Sequence, residues 1–285
     1  MKLKEYIDNA HKEGVAIGHF NVSNLEAVRA IREVVQETNL PIIIGVSEGE
    51  EEFFGIQEIV ALVKSYQVRG LPVFLNADHA YSFERAKACI DAGFDAIIYD
   101  GAELPFEENI AETKKVVEYA RSTNPNCLVE AEIGFIGKSS NVIDSIPEGA
   151  ATEEFLTKPE DAQRFVQETG IDLLAPAVGN LHGMLKNMPN PKLDIVRIKN
   201  IVKLTGIPLV LHGGSGISEE DFKLAIKSGM SIVHINTEIR LAFKEGLLKG
   251  LEENKDKVAP YAYLKPGQDA IKKVVLEKIK LFNNA

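Results

Sequence analysis

Short apolar segments alternate with longer amphipathic segments along almost the whole chain. The apolar segments are rich in Val, Ile and Leu and short enough to be strands that are buried on both faces. They lie at residues 15–21, 41–46, 72–76, 96–99, 127–133, 173–177, 208–211 and 231–235. The segments between them have helical spacing, at residues 24–38, 55–67, 82–92, 105–121, 159–169, 194–204, 218–228 and from 237 onward.

Eight strand–helix alternations predict an α/β fold of the (β/α)8 TIM-barrel type, in a single domain over residues 1–285. An open doubly wound sheet is the structural alternative. The first strand is not followed by a GxGxxG motif, since the local sequence is Gly18-His19-Phe20-Asn21. One long irregular segment, at about 135–154, follows the fifth strand. We expect it to lie over the functional site, because loops of this length in compact domains are usually functional.

Composition and charge narrow the class of protein. The formal net charge is −10, so the basic footprint of a nucleic-acid binder is absent from the sequence. The N-terminus lacks the apolar core of a signal peptide, and no segment has the length of a membrane span. The two cysteines, Cys89 and Cys127, are too far apart for a CxxC site. We therefore expect a cytoplasmic protein that binds neither nucleic acid nor membrane.

Polar residues follow the predicted strands at the end where a barrel enzyme carries its active site. Any single one of them is explained well enough as a helix cap. The set includes three of the six histidines in the chain, which chance explains poorly. Its members are Asn21, Ser47, Asp78, His79, Asp100, Glu132, His182, His212, Asn236 and Thr237.

Three strand-end histidines predict a metal site. Neutral imidazoles are good zinc ligands, and three protein ligands leave one position open for substrate. His79, His182 and His212 would form such a site. Glu132 is either a further ligand, a group that orients one, or a structural carboxylate near the barrel mouth. His19 lies inside the first strand, and we expect it to be packed.

A glycine-rich turn after the seventh strand predicts an anion pocket. Gly213, Gly214 and Ser215 follow His212 directly, and glycines allow backbone N–H groups to approach a phosphate closely. Asn236 and Thr237 begin the next helix and could supply N–H groups to the same anion. Phosphate sites after strands seven and eight recur in this architecture.

At this point the residues match a known family. The chain resembles the zinc-dependent class II ketose-bisphosphate aldolases over almost its entire length. The motifs that carry the resemblance are Gly45-Val46-Ser47-Glu48-Gly49, Asp78-His79, Leu104-Pro105-Phe106-Glu107-Glu108-Asn109-Ile110, Glu130-Ala131-Glu132-Ile133-Gly134, Gly179-Asn180-Leu181-His182-Gly183, Pro191-Lys192-Leu193-Asp194 and His212-Gly213-Gly214-Ser215-Gly216.

The resemblance implies roles at the matching positions. It implies that His79, His182 and His212 hold a catalytic zinc ion, with Glu132 as the ligand when the ion moves to a more buried position. Asp78 is then the general acid/base that acts on the aldehyde oxygen at C4. No lysine Schiff base is required.

The resemblance also implies a binding site for the dihydroxyacetone phosphate half of the substrate. Gly183, Gly213, Ser215 and Thr237 would cradle the phosphate, with a sodium or potassium ion beside it. Asn21, Ser47 and Asp100 would contact the substrate or the residues around it.

Besides Ala102, which replaces a usual serine after Asp100, the chain departs from the family pattern at three places. Family members carry a mobile glutamate after the fifth strand, whereas the matching stretch here is Gly137-Lys138-Ser139-Ser140-Asn141. The candidates to replace it, all from the same loop, are Glu148, Glu153 and Glu154.

The second departure is His234, which stands where the family has an asparagine. It could shuttle a proton or simply replace a hydrogen bond. The third is Tyr261, which stands where the family has an arginine for the second phosphate. Lys265 or Lys186 could take that charge role, and otherwise a substrate with one phosphate becomes plausible.

The sequence therefore predicts a lyase: zinc-dependent, reversible aldol cleavage of a ketose 1,6-bisphosphate, with fructose 1,6-bisphosphate as the first candidate. The products would be dihydroxyacetone phosphate and glyceraldehyde 3-phosphate. Tagatose bisphosphate or another phosphoketose is an alternative, because the sequence does not reveal the C4 stereochemistry. The resemblance implies a homodimer or homotetramer.

Two readings from other classes stay open. A barrel metallohydrolase would use zinc to activate water, but such barrels commonly need a His-x-His pair on the first strand, and His19 has no such partner. A non-catalytic phosphosugar-binding barrel is supported by the missing loop carboxylate. The retained Asp78 and the three histidines favour the enzyme.

Overall fold

Eight parallel strands close into a barrel, as the sequence predicts. The structure is a computed structural model that describes residues 1–137, 140–147 and 150–284. Going round the barrel, the order is β1, β2, β3, β4, β5, β7, β9 and β10, while β6 and β8 form a separate pair. The strands are β1 (Ile17–Asn21), β2 (Ile42–Ser47), β3 (Val73–Ala80), β4 (Ala96–Tyr99), β5 (Leu128–Ile133), β6 (Val142–Ile143), β7 (Leu173–Pro176), β8 (Met184–Leu185), β9 (Leu209–Leu211) and β10 (Met230–Ile235).

Helices follow each barrel strand close to their predicted positions. They are α1 (Leu3–Glu13), α2 (Leu25–Thr38), α3 (Glu48–Phe54), α4 (Ile56–Gln67), α5 (Phe83–Ala92), α6 (Phe106–Thr123), α7 (Pro159–Thr169), α8 (Ile195–Thr205), α9 (Glu219–Lys227), α10 (Thr237–Glu253) and α11 (Pro260–Asn283). The sequence pattern did not separate α10 from α11. Pro260 explains the break. It occupies the first turn of α11, where a backbone N–H has no partner within the helix, so proline costs no hydrogen bond there.

The barrel interior changes from apolar to polar along the strands. Every second residue of a strand points inward, and the first inward layer is apolar. Helix α1 closes this end of the barrel with Leu3, Ile7 and Ala10. Two residues further along the strands, five inward positions of the described chain are polar and buried: His19, Asn76, Glu130, His212 and His234. The polar end is the C-terminal end of the strands, where the site was expected.

Strand β3 runs further than predicted and carries a distortion at its end. It continues through Asp78 and His79 to Ala80, and its pairing with β4 shifts between Ala77 and Ala80. His79 has φ +62°, the left-handed region that non-glycine residues rarely adopt. Consecutive residues of a regular strand face opposite sides, whereas this bulge lets Asp78 and His79 both approach the barrel mouth.

The segment after β5 is fastened to the loop after β7. Strand β6 pairs in parallel with β8, and the backbone N–H of His182 donates to the carbonyl of Ile136 over 2.8 Å. The described parts of the 135–154 segment therefore help to position the loop that carries His182.

No helix in the described part of the chain is both long enough and apolar enough to cross a membrane.

Candidate metal centre and substrate pocket

The three predicted histidines converge at the C-terminal mouth of the barrel. His79, His182 and His212 each offer a ring nitrogen, and these nitrogens all lie within 4.8 Å of one another. Nε2 of His79 and Nδ1 of His212 are 3.2 Å apart. Two nitrogens bound at about 2.0–2.1 Å to one tetrahedral zinc ion would be separated by about 3.3 Å. The spacing of these two rings therefore suits a shared ion.

The opposite nitrogen of each ring has its own hydrogen-bond partner. Nδ1 of His79 contacts Asp100 Oδ2 at 2.8 Å. Nδ1 of His182 donates to the carbonyl of Gly137 at 2.8 Å. Such partners fix the tautomer and the ring orientation of metal-binding histidines, and they leave the other nitrogen free to bind an ion.

His212 takes its partner from a residue that the sequence analysis did not select. Its Nε2 lies 2.7 Å from Oε1 of Glu130, and both side chains are 1% exposed. Glu130 could have been found from the sequence, because it lies two residues before Glu132 on β5 and so faces the same side.

Glu132 lies behind the histidines and is within reach of the same ion. Its Oε2 is 3.4 Å from Nδ1 of His212 and 3.9 Å from Nδ1 of His79. It also forms a possible ligand group with His79 and Asp100. Both roles given to it from the sequence, further ligand or orienting group, are compatible with this position.

The electrostatics of this cluster favour a bound cation. Burial raises the pKa of Glu130 and of Glu132 well above the usual value, and the nearby carboxylates of Asp78 and Asp100 add to the effect. Burial lowers the pKa of His182 to about 4, with a further contribution from His79. At His79, burial is outweighed by Asp78, Asp100 and Glu132, which raise its pKa to about 10. A divalent ion that displaced this proton would place its positive charge beside the same carboxylates. The residues present therefore fit a metal site.

Asp78 lies next to the histidines and is oriented by Asn21. Nδ2 of Asn21 donates to Asp78 Oδ2 over 2.7 Å and to Glu50 Oε2 over 3.0 Å. Burial alone would raise the pKa of Asp78, but the charge of His79 and the hydrogen bond with His234 outweigh it and hold that pKa well below its usual value. The carboxylate is thus buried, ionised and close to the possible ion.

His234 and His19 lie on the inner side of Asp78. Nδ1 of His234 is 3.5 Å from Asp78 Oδ1. The ring of His19 stacks on the ring of His234 with centroids 3.5 Å apart. His19 is fully buried, so the expectation that it is packed is confirmed.

A pocket opens above the histidines. Fourteen residues line it: Asn21, Ser47, Asp78, His79, Tyr81, Ser140, His182, Gly183, Gly213, Ser215, His234, Asn236, Thr237 and Arg240. On one side it meets the N-terminus of α10, whose first residue is Thr237. The positive end of a helix dipole and unpaired N–H groups attract anions there.

The glycine-rich turn forms the same wall of the pocket. Gly213 has φ +62°, and a Cβ at this position would overlap the carbonyl oxygen of Leu181, so only glycine fits. Ser215 is buried, and its Oγ accepts from the N–H of Glu238 in the first turn of α10. This contact joins the turn after β9 to the helix after β10.

Some predicted contacts lie outside this pocket. Gly214 is buried in the turn, and its N–H donates to the carbonyl of His234. Asp100 and Glu132 line a smaller cavity behind His79. Lys186 is exposed and does not line the pocket.

The charge at the pocket rim comes from Arg240, which the sequence analysis missed. Its Nη2 donates to Glu50 Oε1 over 2.8 Å, and Glu50 also accepts from the N–H and Oγ of Ser47. Tyr261 is 80% exposed on α11, and Lys265 pairs with Asp269 on the same helix. The available sequence signal was the spacing of Arg240, three residues after Thr237 on a helix that begins at the pocket.

The loop glutamates that the sequence offered as candidate bases differ in their surroundings. Glu153 pairs with Arg197 at 2.6 Å. Glu154 lines a second pocket with Phe106 and Phe135, away from the histidines. Glu148 lies outside the described residues.

Comparisons with known proteins agree with this geometry. The chain matches the family described as fructose-bisphosphate aldolase class-II over residues 1–285. It is 40% identical over 289 residues to a fructose-bisphosphate aldolase of Staphylococcus aureus, covering 100% of this chain and 98% of the relative. It is 38% identical over 289 residues to a fructose-bisphosphate aldolase of Geobacillus stearothermophilus, covering 100% and 97%. The crystal structure of the YdjI aldolase from Escherichia coli K12 is 30% identical, with a TM-score of 0.81 over 99% of this chain and 96% of that chain.

Proposed function

Because the chain belongs to the class II fructose-bisphosphate aldolase family of metal-dependent aldehyde-lyases, we propose that it cleaves fructose 1,6-bisphosphate reversibly, using zinc. The products would be dihydroxyacetone phosphate and glyceraldehyde 3-phosphate. The observation that carries the proposal is the convergence of His79, His182 and His212 beside Asp78 in one pocket. A zinc ion held by the three histidines would supply a Lewis acid that polarises the ketone carbonyl of the substrate.

Asp78 would act as the general acid/base. In cleavage it accepts the proton of the C4 hydroxyl, and in condensation it returns that proton to the aldehyde oxygen. The hydrogen bond from Asn21 supports this role, because it orients one oxygen of a carboxylate that is ionised and so can accept a proton.

His234 would contact the reacting part of the substrate. Its side chain lines the pocket and approaches Asp78. Burial lowers the pKa of His234 in spite of the opposing effect of Asp78, so the ring is neutral at pH 7. A neutral imidazole can donate one hydrogen bond to a substrate oxygen and accept another.

The phosphate of the dihydroxyacetone phosphate half would sit between the glycine-rich turn and α10. Gly183, Gly213, Ser215 and Thr237 all line this side of the pocket. A sodium or potassium ion beside this phosphate is part of the proposal. If such an ion binds, the cleavage activity should differ between potassium, sodium and tetramethylammonium buffers.

Arg240 would bind the second phosphate. Its guanidinium lies at the pocket rim and is held there by Glu50. Arginine suits phosphate because its donors match two phosphate oxygens at once. This position supports a bisphosphate substrate although Tyr261 replaces the arginine of the family pattern.

The segment at about 135–154 would form part of the wall over the substrate. Ser140 lines the pocket, and its carbonyl accepts from Nη1 of Arg240 at 3.5 Å. Among the loop glutamates, Glu153 would have to leave Arg197 before it could act as a base. A homodimer or homotetramer also remains part of the proposal, and light scattering would test it.

A cleavage assay with several substrates tests the function. Purified protein with added Zn²⁺ is incubated with fructose 1,6-bisphosphate, tagatose 1,6-bisphosphate and fructose 1-phosphate, and triose phosphate is measured. Preference for the first substrate supports the proposal, and preference for the second corrects the C4 stereochemistry. Zinc-dependent release of inorganic phosphate without triose phosphate would instead indicate a hydrolase. Binding of sugar phosphate without turnover would indicate a non-catalytic barrel.

A further inference from the structure

Three imidazoles are stacked inside the barrel, and His234 is the middle one. The rings of His19 and His234 have centroids 3.5 Å apart and are parallel within 2°. The rings of His234 and His212 have centroids 4.2 Å apart, at an angle of 19°. The stack therefore runs from the inner wall of the barrel, through a pocket residue, to one of the three candidate metal ligands.

The stack follows from the register of the sheet and from one glycine. His19 on β1 is paired directly with His234 on β10, so the two side chains leave neighbouring strands on the same face about 4.8 Å apart. Behind His19, on β2, lies Gly45. A Cβ at position 45 would come within 2.5 Å of Nε2 of His19 and closer still to Cε1. The His19 ring thus occupies the space that a side chain at position 45 would otherwise fill.

The edge of the His19 ring faces polar side chains but forms no well-aligned hydrogen bond. Neither ring nitrogen meets hydrogen-bond geometry among the described residues, although the side chain of Asn76 lies close enough to affect the pKa of His19. Burial, reinforced by His234, holds the pKa of His19 well below its usual value, so the ring is neutral. The closest contacts of the ring are therefore its stacked face on His234 and its Cε1–Nε2 side, which lies against Gly45.

A shared metal ion is a poor explanation for this arrangement. His19, Asp78 and His234 have possible ligand atoms within 4.8 Å of one another. An imidazole binds a metal through a lone pair that lies in the plane of its ring. Because the two planes are parallel, the lone pairs of His19 and His234 point side by side and do not converge on one ion.

We propose that His19 is a positioning residue: wedged against Gly45, it fixes the ring plane of His234 and so holds Nδ1 of His234 next to Asp78. Without the wedge, His234 can rotate into the space beside Gly45 and lose its orientation towards the pocket. The ring of His19 itself touches neither the pocket nor the three candidate ligands. Its contribution to turnover rests on the proposed function of His234, whereas its contribution to packing does not.

The first test distinguishes the packing contribution of the flat His19 ring from any contribution of its nitrogens. His19→Ala should lower kcat by about 10- to 100-fold, the scale of a misplaced group, while KM and the bound metal per chain stay within twofold of the wild type. His19→Phe, which keeps a flat ring without nitrogens, should recover most of the loss. Equal losses in both variants would overturn the proposal, as would a fully active His19→Ala enzyme or a loss of bound metal.

The second test uses melting temperature and needs no activity. Gly45→Ala should lower the melting temperature by more than about 3 °C, because its Cβ displaces the His19 ring. In the His19→Ala background the same substitution should cost little, since the ring is gone. Gly49→Ala is the control, because a Cβ there meets nothing within 4 Å. Additive losses from the two substitutions would show that the wedge does not exist.

A failure of the proposed function can be told apart from a failure of the positioning role, because the melting-temperature test needs no activity. If the wild type cleaves no ketose phosphate, the function is wrong, and the melting-temperature cycle still decides whether His19 and Gly45 are coupled. If the wild type is active and the melting-temperature losses are additive, the proposed function is retained and the positioning role of His19 is rejected.

Discussion

Nε2 of His79 and Nδ1 of His212 lie 3.2 Å apart, although 133 residues separate them in the chain. The far nitrogen of each ring contacts a carboxyl group, the partly buried Asp100 for His79 and the buried Glu130 for His212. The two facing nitrogens are thereby directed at one point, which His182 also approaches. The carboxylates behind the rings are consequently as much a part of the candidate metal site as the rings themselves.

Metal removal should abolish activity and loosen the fold. We expect a chelator to remove cleavage activity and Zn²⁺ or Co²⁺ to restore it. At a metal concentration about a thousandfold above Kd, binding adds about 4 kcal/mol of stability. For a chain of this size that corresponds to a melting temperature about 7 °C higher. Calorimetry of stripped and reloaded protein measures this shift, with zinc-saturated chelator as the control. Full activity in metal-free protein would contradict the site.

Asp78→Asn should separate catalysis from metal binding. The variant keeps the shape of the side chain but cannot accept a proton, so cleavage should fall by about 100-fold or more. The bound metal, measured by elemental analysis, should remain one ion per chain. Asp8→Asn on α1, where Asp8 pairs with Lys4 far from the pocket, is the matched control. Near-normal turnover of Asp78→Asn would remove this residue from the mechanism.

Glu130→Gln should weaken metal binding without touching the pocket. Glu130 contacts Nε2 of His212, and loss of such a partner typically costs about 10- to 100-fold in metal affinity or activity. Competition with a fluorescent zinc chelator measures the affinity. Added zinc should restore much of the activity of this variant, in contrast to Asp78→Asn. An unchanged zinc affinity would show that His212 needs no orienting partner.

Arg240→Gln should affect only substrates with a second phosphate. A charge-assisted hydrogen bond contributes about 1.5–3 kcal/mol, so KM for fructose 1,6-bisphosphate should rise by about 10- to 100-fold. The kinetics with fructose 1-phosphate should change little. Lys265→Gln serves as the control, because Lys265 is paired with Asp269 on α11. If Lys265→Gln raises KM and Arg240→Gln does not, the second phosphate binds elsewhere.

Asp95 predicts a pH dependence of stability that is separate from the metal site. Burial raises its pKa, although the N–H of Leu75 and the side chain of Gln67 partly oppose this. The folded state therefore holds this proton more tightly than the unfolded chain, and the stability it contributes is lost as pH rises above the ordinary Asp pKa of about 3.9. As the pH rises through this range, the melting temperature of Asp95→Asn should therefore increase relative to that of the wild type. A difference that is constant with pH would contradict the raised pKa.

Several features could be predicted from local sequence. The short buried segments and their helical spacers predicted the barrel, and a parallel barrel brings all its strand ends to one face. That rule alone predicted that His79, His182, His212 and Asp78 lie close together. It worked because strand ends are set by local periodicity, which is visible in one sequence. Cytoplasmic location and oligomeric state stay predictions.

Other features depended on contacts between distant segments. The sequence offered Lys186 or Lys265 for a second-phosphate charge, or else a substrate with one phosphate. It did not point to Arg240, which lies at the pocket rim where Glu50 on another helix contacts it. The bulge at His79 was also invisible, since nothing in the local pattern marks a left-handed residue in β3.

The sequence by itself determined which strand ends carry the candidate ligands and the candidate acid, because the period of a buried strand is a property of a single segment. Only the tertiary structure decided which inward side chains touch across the barrel. The pairing of His19 with His234, the space left by Gly45 and the contact of Glu130 with His212 all depend on the register between strands. Register is set by the packing of the whole interior, and no single segment contains it.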